Sequence, residues 1–245
     1  MSKTHEPGNE SEQQSPEQPA SPRRNTVNVK ALLVVFAPAI VFAILYLNYK
    51  PAEGSLIVDT KYRRLKFEAV FNPAGFTGKA QSGYHLIVWK AGGAVKAALF
   101  QAQVSDRKIL EAMGRFGIKP GNNLKEDCWS CRKDPEHPAP DIKAEGPRIK
   151  IEVLWPGEKE FVQIHKLFKG VKADDMDFRF AGNKSMIEVW NSGCVACLYS
   201  CPGGKLSNAA YSVRDYVEKP KRFAELADGL PAKGTRAIIY LTVVE

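Results

Sequence analysis

The pattern of hydrophobic and polar positions changes twice along this chain. Residues 1–28 are rich in Glu, Gln, Ser and Pro and carry almost no large apolar side chains. Such a segment cannot bury enough surface to offset the entropy lost on ordering, so we predict a disordered polar tail. From Ala31 to Leu47 the chain is uncharged, and as a helix this run would span about 25 Å. We predict a single transmembrane helix over residues 29–49.

After Ser55 the pattern changes to short apolar runs with partial alternation, which is typical of β-strands separated by turns. The pair Gly92 and Gly93 suits a tight hairpin between two of these strands. We expect an α+β domain over residues 54–245, with a mostly antiparallel or mixed sheet and a few short helices. The expected strands include the runs SLIVDT, RRLKFEAVF, YHLIVWK, RIKIEVLW, MIEVW and RAIIYLTVV.

One helix of the soluble part is indicated by both its cap and its periodicity. Ser105 is a good N-cap residue, and Ile109, Met113 and Phe116 follow at helical spacing. Gly117 stands where such a helix would end. The sequence therefore predicts a helix that starts after Ser105 and packs one apolar face on the sheet.

The hydrophobic run could also belong to a cleaved signal peptide, because Arg23, Arg24 and Lys30 precede it. No small-x-small cleavage site follows Leu47, which favours a retained anchor. Basic residues flank the run on both sides, and counted alone they would keep the domain in the cytoplasm. Large domains translocate largely regardless of charge. We therefore place the domain outside the cytoplasmic membrane, in the periplasm.

The positive charge belongs to the part of the chain after the tail. The net charge is +8, and residues 1–28 hold three basic and four acidic side chains, so the remainder carries +9. A domain of this charge beside a bilayer is attracted to anionic lipid headgroups or to an acidic partner in a membrane complex. No basic helix interleaved with aromatics and no zinc-finger spacing is present, so we expect no nucleic-acid binding.

The cysteines carry the most specific chemical signal. All five lie in two clusters: Cys128 and Cys131 in a long loop, and Cys194, Cys197 and Cys201 some sixty residues later. Two CxxC pairs can supply the four thiolates of a closed, structural zinc site. We predict a metal site formed by Cys128, Cys131, Cys194 and Cys197.

Two alternative ligands complete that prediction. Cys201 follows the second pair by four residues, and His137 follows the first pair by six. Either side chain could replace one of the four thiolates, since zinc accepts both sulfur and imidazole nitrogen.

The second cluster also resembles part of an iron–sulfur motif. Cys194, Cys197, Cys201 and Pro202 match the last three cysteines and the proline of the bacterial ferredoxin run. The first cysteine of that run would fall at position 191, which is Asn191. A cysteine of the long loop would then have to complete the cluster. In an exported domain, two disulfides with one cysteine left over are a further alternative, and no cofactor would then be needed.

Four further segments stand out along the chain: Ala97-Ala98-Leu99-Phe100, Gly117-Ile118-Lys119-Pro120-Gly121, Trp155-Pro156-Gly157 and Asp177-Phe178-Arg179-Phe180-Ala181-Gly182. Together they are similar to the YdjY-type domain, which is found in bacterial exported and membrane-attached proteins. The resemblance covers about residues 55–245. It implies a fold and an extracytoplasmic location, and it supplies no catalytic residue.

The sequence contains no phosphate-binding glycine loop, nucleophile elbow, HExxH or dinucleotide fingerprint. We therefore expect a non-catalytic binding or assembly module with a cysteine cross-tie. The alternative is an electron-transfer or thiol-redox component that uses the same cysteines. His85 and His165 lie in strand-like runs, where a histidine is more often a surface or core residue than a ligand.

Overall fold

The computed structural model describes residues 53–77, 83–134, 136, 138–218 and 222–244. Residues 51–245 form one compact unit. The strands in the described ranges are β1 (Leu56–Asp59), β2 (Arg64–Phe71), β3 (His85–Trp89), β4 (Phe100–Ala102), β5 (Arg148–Leu154), β6 (Val162–Gln163), β7 (Phe178–Phe180), β8 (Cys194–Cys197), β9 (Leu206–Asn208) and β10 (Arg236–Val244). The α-helices there are α1 (Pro73–Thr77), α2 (Asp106–Gly114), α3 (Glu126–Ser130), α4 (Ser185–Trp190) and α5 (Val213–Glu218).

The sheet closes on itself through β2. The first half of β2 pairs with β1, its last three residues pair with β4, and β10 lies along its other side. From β2 the neighbouring strands are β10, β5, β7, β9, β8, β3 and β4, and β4 returns to β2. Eight strands of the described chain thus form a closed ring, to which β1 and β6 are added on the outside.

The core fills the inside of this ring because β2 and β10 alternate strictly. In β2 every second residue from Leu65 to Phe71 is buried, and in β10 the same holds from Ala237 to Val243. Alternate side chains of a strand point to opposite faces, so one face of each strand enters the core and the other faces solvent. Each fully buried large apolar side chain contributes about 1.5–3 kcal/mol relative to an exposed one.

The predicted α+β fold class is wrong. The described domain is a closed, eight-stranded sheet, and its helices are short, the longest being the nine residues of α2. Local patterns identified many of the strands, but they carry no information on whether the ends of a sheet meet. Closure depends on β2 pairing with β10 along one side and with β4 on the other, which is a non-local property.

The predicted helix at residues 29–49, like the predicted tail at residues 1–28, lies outside the described residues. Among the helices of the described part, none is both long and apolar enough to cross a membrane.

Three local predictions have clear outcomes. The helix after Ser105 is confirmed, since the Ser105 side chain accepts a hydrogen bond from the backbone N–H of Lys108 at the start of α2. The Gly92–Gly93 hairpin is wrong because β3 and β4 run parallel. The run MIEVW is not a strand: it lies within helix α4, which ends at Asn191 in the left-handed conformation.

Candidate metal and thiol site

Two irregularities in the pairing of β3 with β8 bring Cys194 and Cys197 to the same side. Residues three apart in a regular strand point to opposite faces. Here the register between the two strands shifts on each side of Ile87, as happens at a β-bulge. As a result the sulfur atoms of Cys194 and Cys197 lie 2.6 Å apart, and both residues are fully buried.

His85 joins this pair from the neighbouring strand. It lies directly across from Cys197, and its Nδ1 is 3.6 Å from the sulfur of Cys194. Burial lowers the pKa of His85 to about 4. The ring is therefore neutral at pH 7 and keeps a nitrogen lone pair that can bind a metal ion.

Cys201 completes the group just after β8. Its pKa is lowered because the thiol of Cys197 donates a hydrogen bond to it and because the backbone N–H groups of Gly203 and Gly204 also donate. Burial raises the pKa of Cys197 well above its usual value. The environment therefore stabilises negative charge on Cys201 more than on Cys197. We call His85, Cys194, Cys197 and Cys201 the Cys/His centre.

A glycine at position 204 lets the chain close around this centre. A Cβ atom there would lie 2.7 Å from the carbonyl oxygen of Leu206 and 3.1 Å from the sulfur of Cys197. It would also lie 2.9 Å from the hydroxyl of Ser207. Any side chain would push the turn away from the sulfur atoms.

A buried lysine stands beside the thiols. The side chain of Lys205 is 1% exposed and donates hydrogen bonds to the carbonyl oxygens of Gly203, at 3.1 Å, and Asn183, at 3.4 Å. Burial lowers the pKa of Lys205, while Asp106 and the three cysteines of the centre act in the opposite direction. Its positive charge can therefore balance negative charge on the thiolates.

Aromatic rings cover the centre. Trp129 from α3 is 7% exposed and stacks on Tyr216, with ring centroids 5.0 Å apart, and it also contacts Tyr84 at 5.5 Å. The guanidinium group of Arg132 lies 4.4 Å from the centre of the Trp129 ring. This cover excludes water, which strengthens electrostatic interactions inside.

The structure brings some of the predicted ligands together and leaves others apart. In the described part of the chain, the side chains that could share a metal ion are His85, Cys194 and Cys197, whose ligand atoms lie within 4.8 Å of one another. Cys201 adjoins them through Cys197.

The predicted ligands of the long loop have a different position. Cys128 is partly exposed and Cys131 is exposed, and they flank Trp129 outside the group of candidate ligands. The alternative ligand His137 lies outside the described residues. All five cysteines are free thiols.

His85 is the member of the centre that sequence reasoning missed. It is 8% exposed, and it lies in the apolar strand β3, so the sequence showed a polar residue within a buried run and nothing more specific. Its partner cysteines are more than one hundred positions away. The one local signal in the sequence is a histidine in a strand whose other residues are all apolar.

The fold and this centre define a class: a closed-sheet domain with a buried cluster of thiols and one imidazole. The YdjY domain profile matches residues 56–242, so the chain belongs to the YdjY domain family, as its sequence segments had predicted. It is similar to "Uncharacterized protein YdjY" of Escherichia coli (strain K12), with 29% identity over 162 residues, covering 66% of this chain and 68% of the relative. No solved structure matches the chain.

Proposed function

We propose that this domain is a binding or assembly module whose fold is tied together by one metal ion, most simply zinc, held by the Cys/His centre. The observation that carries the proposal is the burial of three thiols and an imidazole in one contiguous group. The ligand atoms of His85, Cys194 and Cys197 already lie within 4.8 Å of one another, and Cys201 would have to move in beside them. Four protein ligands would then close a tetrahedral shell and leave no position for water or substrate, which is the property of a structural site.

Charge balance supports a divalent ion. A zinc ion bound by three thiolates and a neutral imidazole carries a net charge of about −1. Lys205, itself almost fully buried, supplies a compensating positive charge next to the centre. Backbone N–H groups of Gly203 and Gly204 further stabilise negative charge on Cys201.

The close approach of the sulfur atoms favours a single ion over a cluster. Two thiolates on one zinc ion lie about 3.8 Å apart, as follows from Zn–S bonds of about 2.3 Å in a tetrahedron. Binding would therefore move the sulfurs of Cys194 and Cys197, now 2.6 Å apart, by about 1 Å. In an iron–sulfur cluster of four irons each thiolate binds a different iron, which requires a wider arrangement.

Thiol–disulfide chemistry is the second candidate, and the same 2.6 Å contact favours it. A pair at this distance needs little movement to form a bond of about 2.05 Å. The dithiol of Cys194 and Cys197 would lose two protons and two electrons to a disulfide-bearing partner. Cys201, whose pKa is lowered, would then be the remaining thiolate.

Membrane attachment and an extracytoplasmic position belong to the same proposal. The uncharged run from Ala31 to Leu47 and the membership of the YdjY domain family support attachment. A non-catalytic role in a membrane-protein complex fits a closed centre that has no room for a substrate.

The test is metal and free-thiol analysis of the full chain, purified without oxygen in mild detergent. The wild-type protein should carry one equivalent of zinc, and its buried thiols should react only after chelation and denaturation. His85→Gln and Cys201→Ser should each retain much less zinc. His165→Gln and Cys131→Ser are matched controls outside the centre and should retain it.

Three results would overturn the metal proposal. A brown protein with acid-labile sulfide would indicate an iron–sulfur cluster. A colourless, metal-free protein with Cys194 joined to Cys197 would favour the thiol–disulfide candidate. Full zinc retention in His85→Gln, with loss in Cys131→Ser, would move the site to the long loop.

A further inference from the structure

We propose that the outer face of the sheet around the β1–β2 hairpin docks on the surface of an anionic lipid bilayer. The inference rests on the membrane attachment in the proposed function and names the surface that would meet the membrane. It is independent of the Cys/His centre, which lies on β3 and β8.

The face consists of two rows of side chains that lie across neighbouring strands. In the first row Ile57 of β1 pairs with Lys66 of β2, which pairs with Tyr240 of β10. In the second row Arg64 pairs with Thr242, and Thr242 pairs with Lys150 of β5. Directly paired residues share one face of a sheet. The alternate residues of these strands are buried in the core, so both rows face outward.

Positive charge is concentrated on this face. Three basic residues within six positions, Lys61, Arg64 and Lys66, lie on it. The nearby acid Asp59 accepts a hydrogen bond from the backbone N–H of Tyr62 and so takes part in forming the turn. Glu152, which pairs with Tyr240, is buried and forms an ion pair with Lys150 at 2.7 Å. We call the surface formed by Ile57, Lys61, Tyr62, Arg64, Lys66, Tyr240 and Phe161 the basic hairpin face.

Exposed apolar side chains gather in the same place. Of the five large apolar side chains that are exposed in the described part of the chain, three belong to the basic hairpin face: Ile57 (54%), Tyr62 (60%) and Phe161 (42%). The Phe161 ring packs edge-on against Tyr240 with centroids 4.7 Å apart. Three such side chains exposed together on one face mark an interaction surface.

The basic side chains of this face lie beside its aromatic rings, an arrangement that suits the headgroup layer of a membrane. Lys61 lies over the ring of Tyr62, and Arg64 and Lys66 lie over the ring of Tyr240. Aromatic rings favour the headgroup level, and long basic side chains can direct their charge to lipid phosphates. Each basic residue near an anionic surface adds to the attraction between the protein and the membrane.

The position of this face in the chain favours a bilayer over an acidic protein. Ile57 follows Leu47, the end of the uncharged run, by ten positions. Fully extended, this stretch reaches at most about 35 Å. With the run attached to a membrane, the hairpin therefore stays near the bilayer, at high effective concentration.

The experiment uses residues 51–245, which are the compact unit without the uncharged run. Binding is measured by co-sedimentation with vesicles of phosphatidylcholine alone and of phosphatidylcholine mixed with phosphatidylglycerol. The wild-type domain should bind the anionic vesicles, and added salt should weaken that binding. Lys61→Glu with Lys66→Glu should lower the binding about tenfold or more.

The matched control makes the same change in net charge at another place on the protein surface. Lys184 and Lys233 are exposed and lie outside the basic hairpin face, so Lys184→Glu with Lys233→Glu should lower the binding much less. Equal losses in both double variants, or equal binding to neutral and anionic vesicles, would overturn the proposal. Binding to an acidic protein without binding to anionic vesicles would assign the face to a protein partner and would also overturn it.

A failure of the docking proposal can be distinguished from a failure of the proposed function. Alkaline extraction of membranes that contain the full chain tests attachment through residues 31–47 without involving the basic hairpin face. Metal analysis of the same domain variants tests the Cys/His centre, and both double variants should keep their metal.

Discussion

The Nδ1 atom of His85 lies 3.6 Å from the sulfur of Cys194, although 109 positions separate the two residues along the chain. The contact exists because β3 and β8 are neighbours and because their register shifts twice between His85 and Val88 of β3. A slip of one residue would turn every side chain of a strand to the other face. The Cys/His centre is thus a product of strand pairing, not of a continuous motif.

Acid should destabilise the reduced, metal-free protein through His85. Its pKa is about 4 in the folded state, against 6.5 ordinarily, because it is buried. Between these values the unfolded chain binds more protons, so the free energy of unfolding rises with pH through this window and falls on acidification. The loss should approach about 3 kcal/mol. Urea unfolding at about pH 7 and about pH 4 would measure it.

The histidines provide their own control for this prediction. His85→Gln should make the free energy of unfolding less dependent on pH in that window. His165→Gln, which changes a partly exposed residue, should leave the pH dependence as it is in the wild type. An identical pH dependence in wild type and His85→Gln would contradict the assignment.

Adding a methyl group at Gly204 should disturb the centre. The new Cβ would meet the Leu206 carbonyl oxygen and the Cys197 sulfur at 2.7 and 3.1 Å. We expect Gly204→Ala to lower the free energy of unfolding by about 1–3 kcal/mol, the usual cost of overpacking. Gly114→Ala is the control, since a Cβ there meets nothing within 4 Å and the residue is helical. It should be neutral or stabilising by up to about 1 kcal/mol. Equal effects in denaturant titrations would refute the steric argument.

Lys205 and Asp106 should behave as a coupled pair. Burial raises the pKa of Asp106, and the charge of Lys205 opposes that effect. Lys205→Met should cost about 1–3 kcal/mol because it leaves the buried carbonyl oxygens of Gly203 and Asn183 without their donor and removes the charge that opposes the effect of burial on Asp106. Adding Asp106→Asn should then cost less than the sum of the two single changes. The exposed ion pair of Arg107 with Glu188 is a suitable comparison, expected to contribute less than about 1 kcal/mol. Strict additivity of Lys205→Met and Asp106→Asn would exclude the coupling.

Removing the ring of Trp129 should open the centre. In the metal-free, reduced protein, Trp129→Ala should speed the reaction of the three buried thiols with a thiol reagent. Trp155→Ala removes a ring of the same 7% exposure in the main core and should cost similar stability without the same increase at these thiols. Mass spectrometry of the labelled cysteines would separate the two cases. Equal labelling would mean that global unfolding, not the cover, controls access.

The sequence predicted those features that depend on local pattern. The alternation from Arg64 to Phe71 and from Arg236 to Val244 identified β2 and β10, and the cap at Ser105 identified α2. The run MIEVW failed because its apolar residues suit either element at that length, and the chain resolves the choice by ending a helix at Asn191.

The remaining features depend on pairing between distant segments. Nothing near β2 shows that it pairs with both β10 and β4, so closure of the sheet could not be read from the sequence. Nothing in the sequence near His85 shows that it will pair with Cys197 on the neighbouring strand β8. The spacing of Cys194 and Cys197 suggested a shared site, but regular strand geometry would have separated them. Only the register shifts of β8 bring them together.

The place of β10 in the sheet sets the order of events during biosynthesis. This strand, residues 236–244, lies between β2 and β5, so the ring cannot close until it has been made. Cys194, Cys197 and Cys201 precede it in the chain and are made before the ring can close. On the proposed function, a metal ion or an oxidant would reach these thiols most easily before β10 docks, and the compartment in which it docks would decide between the two.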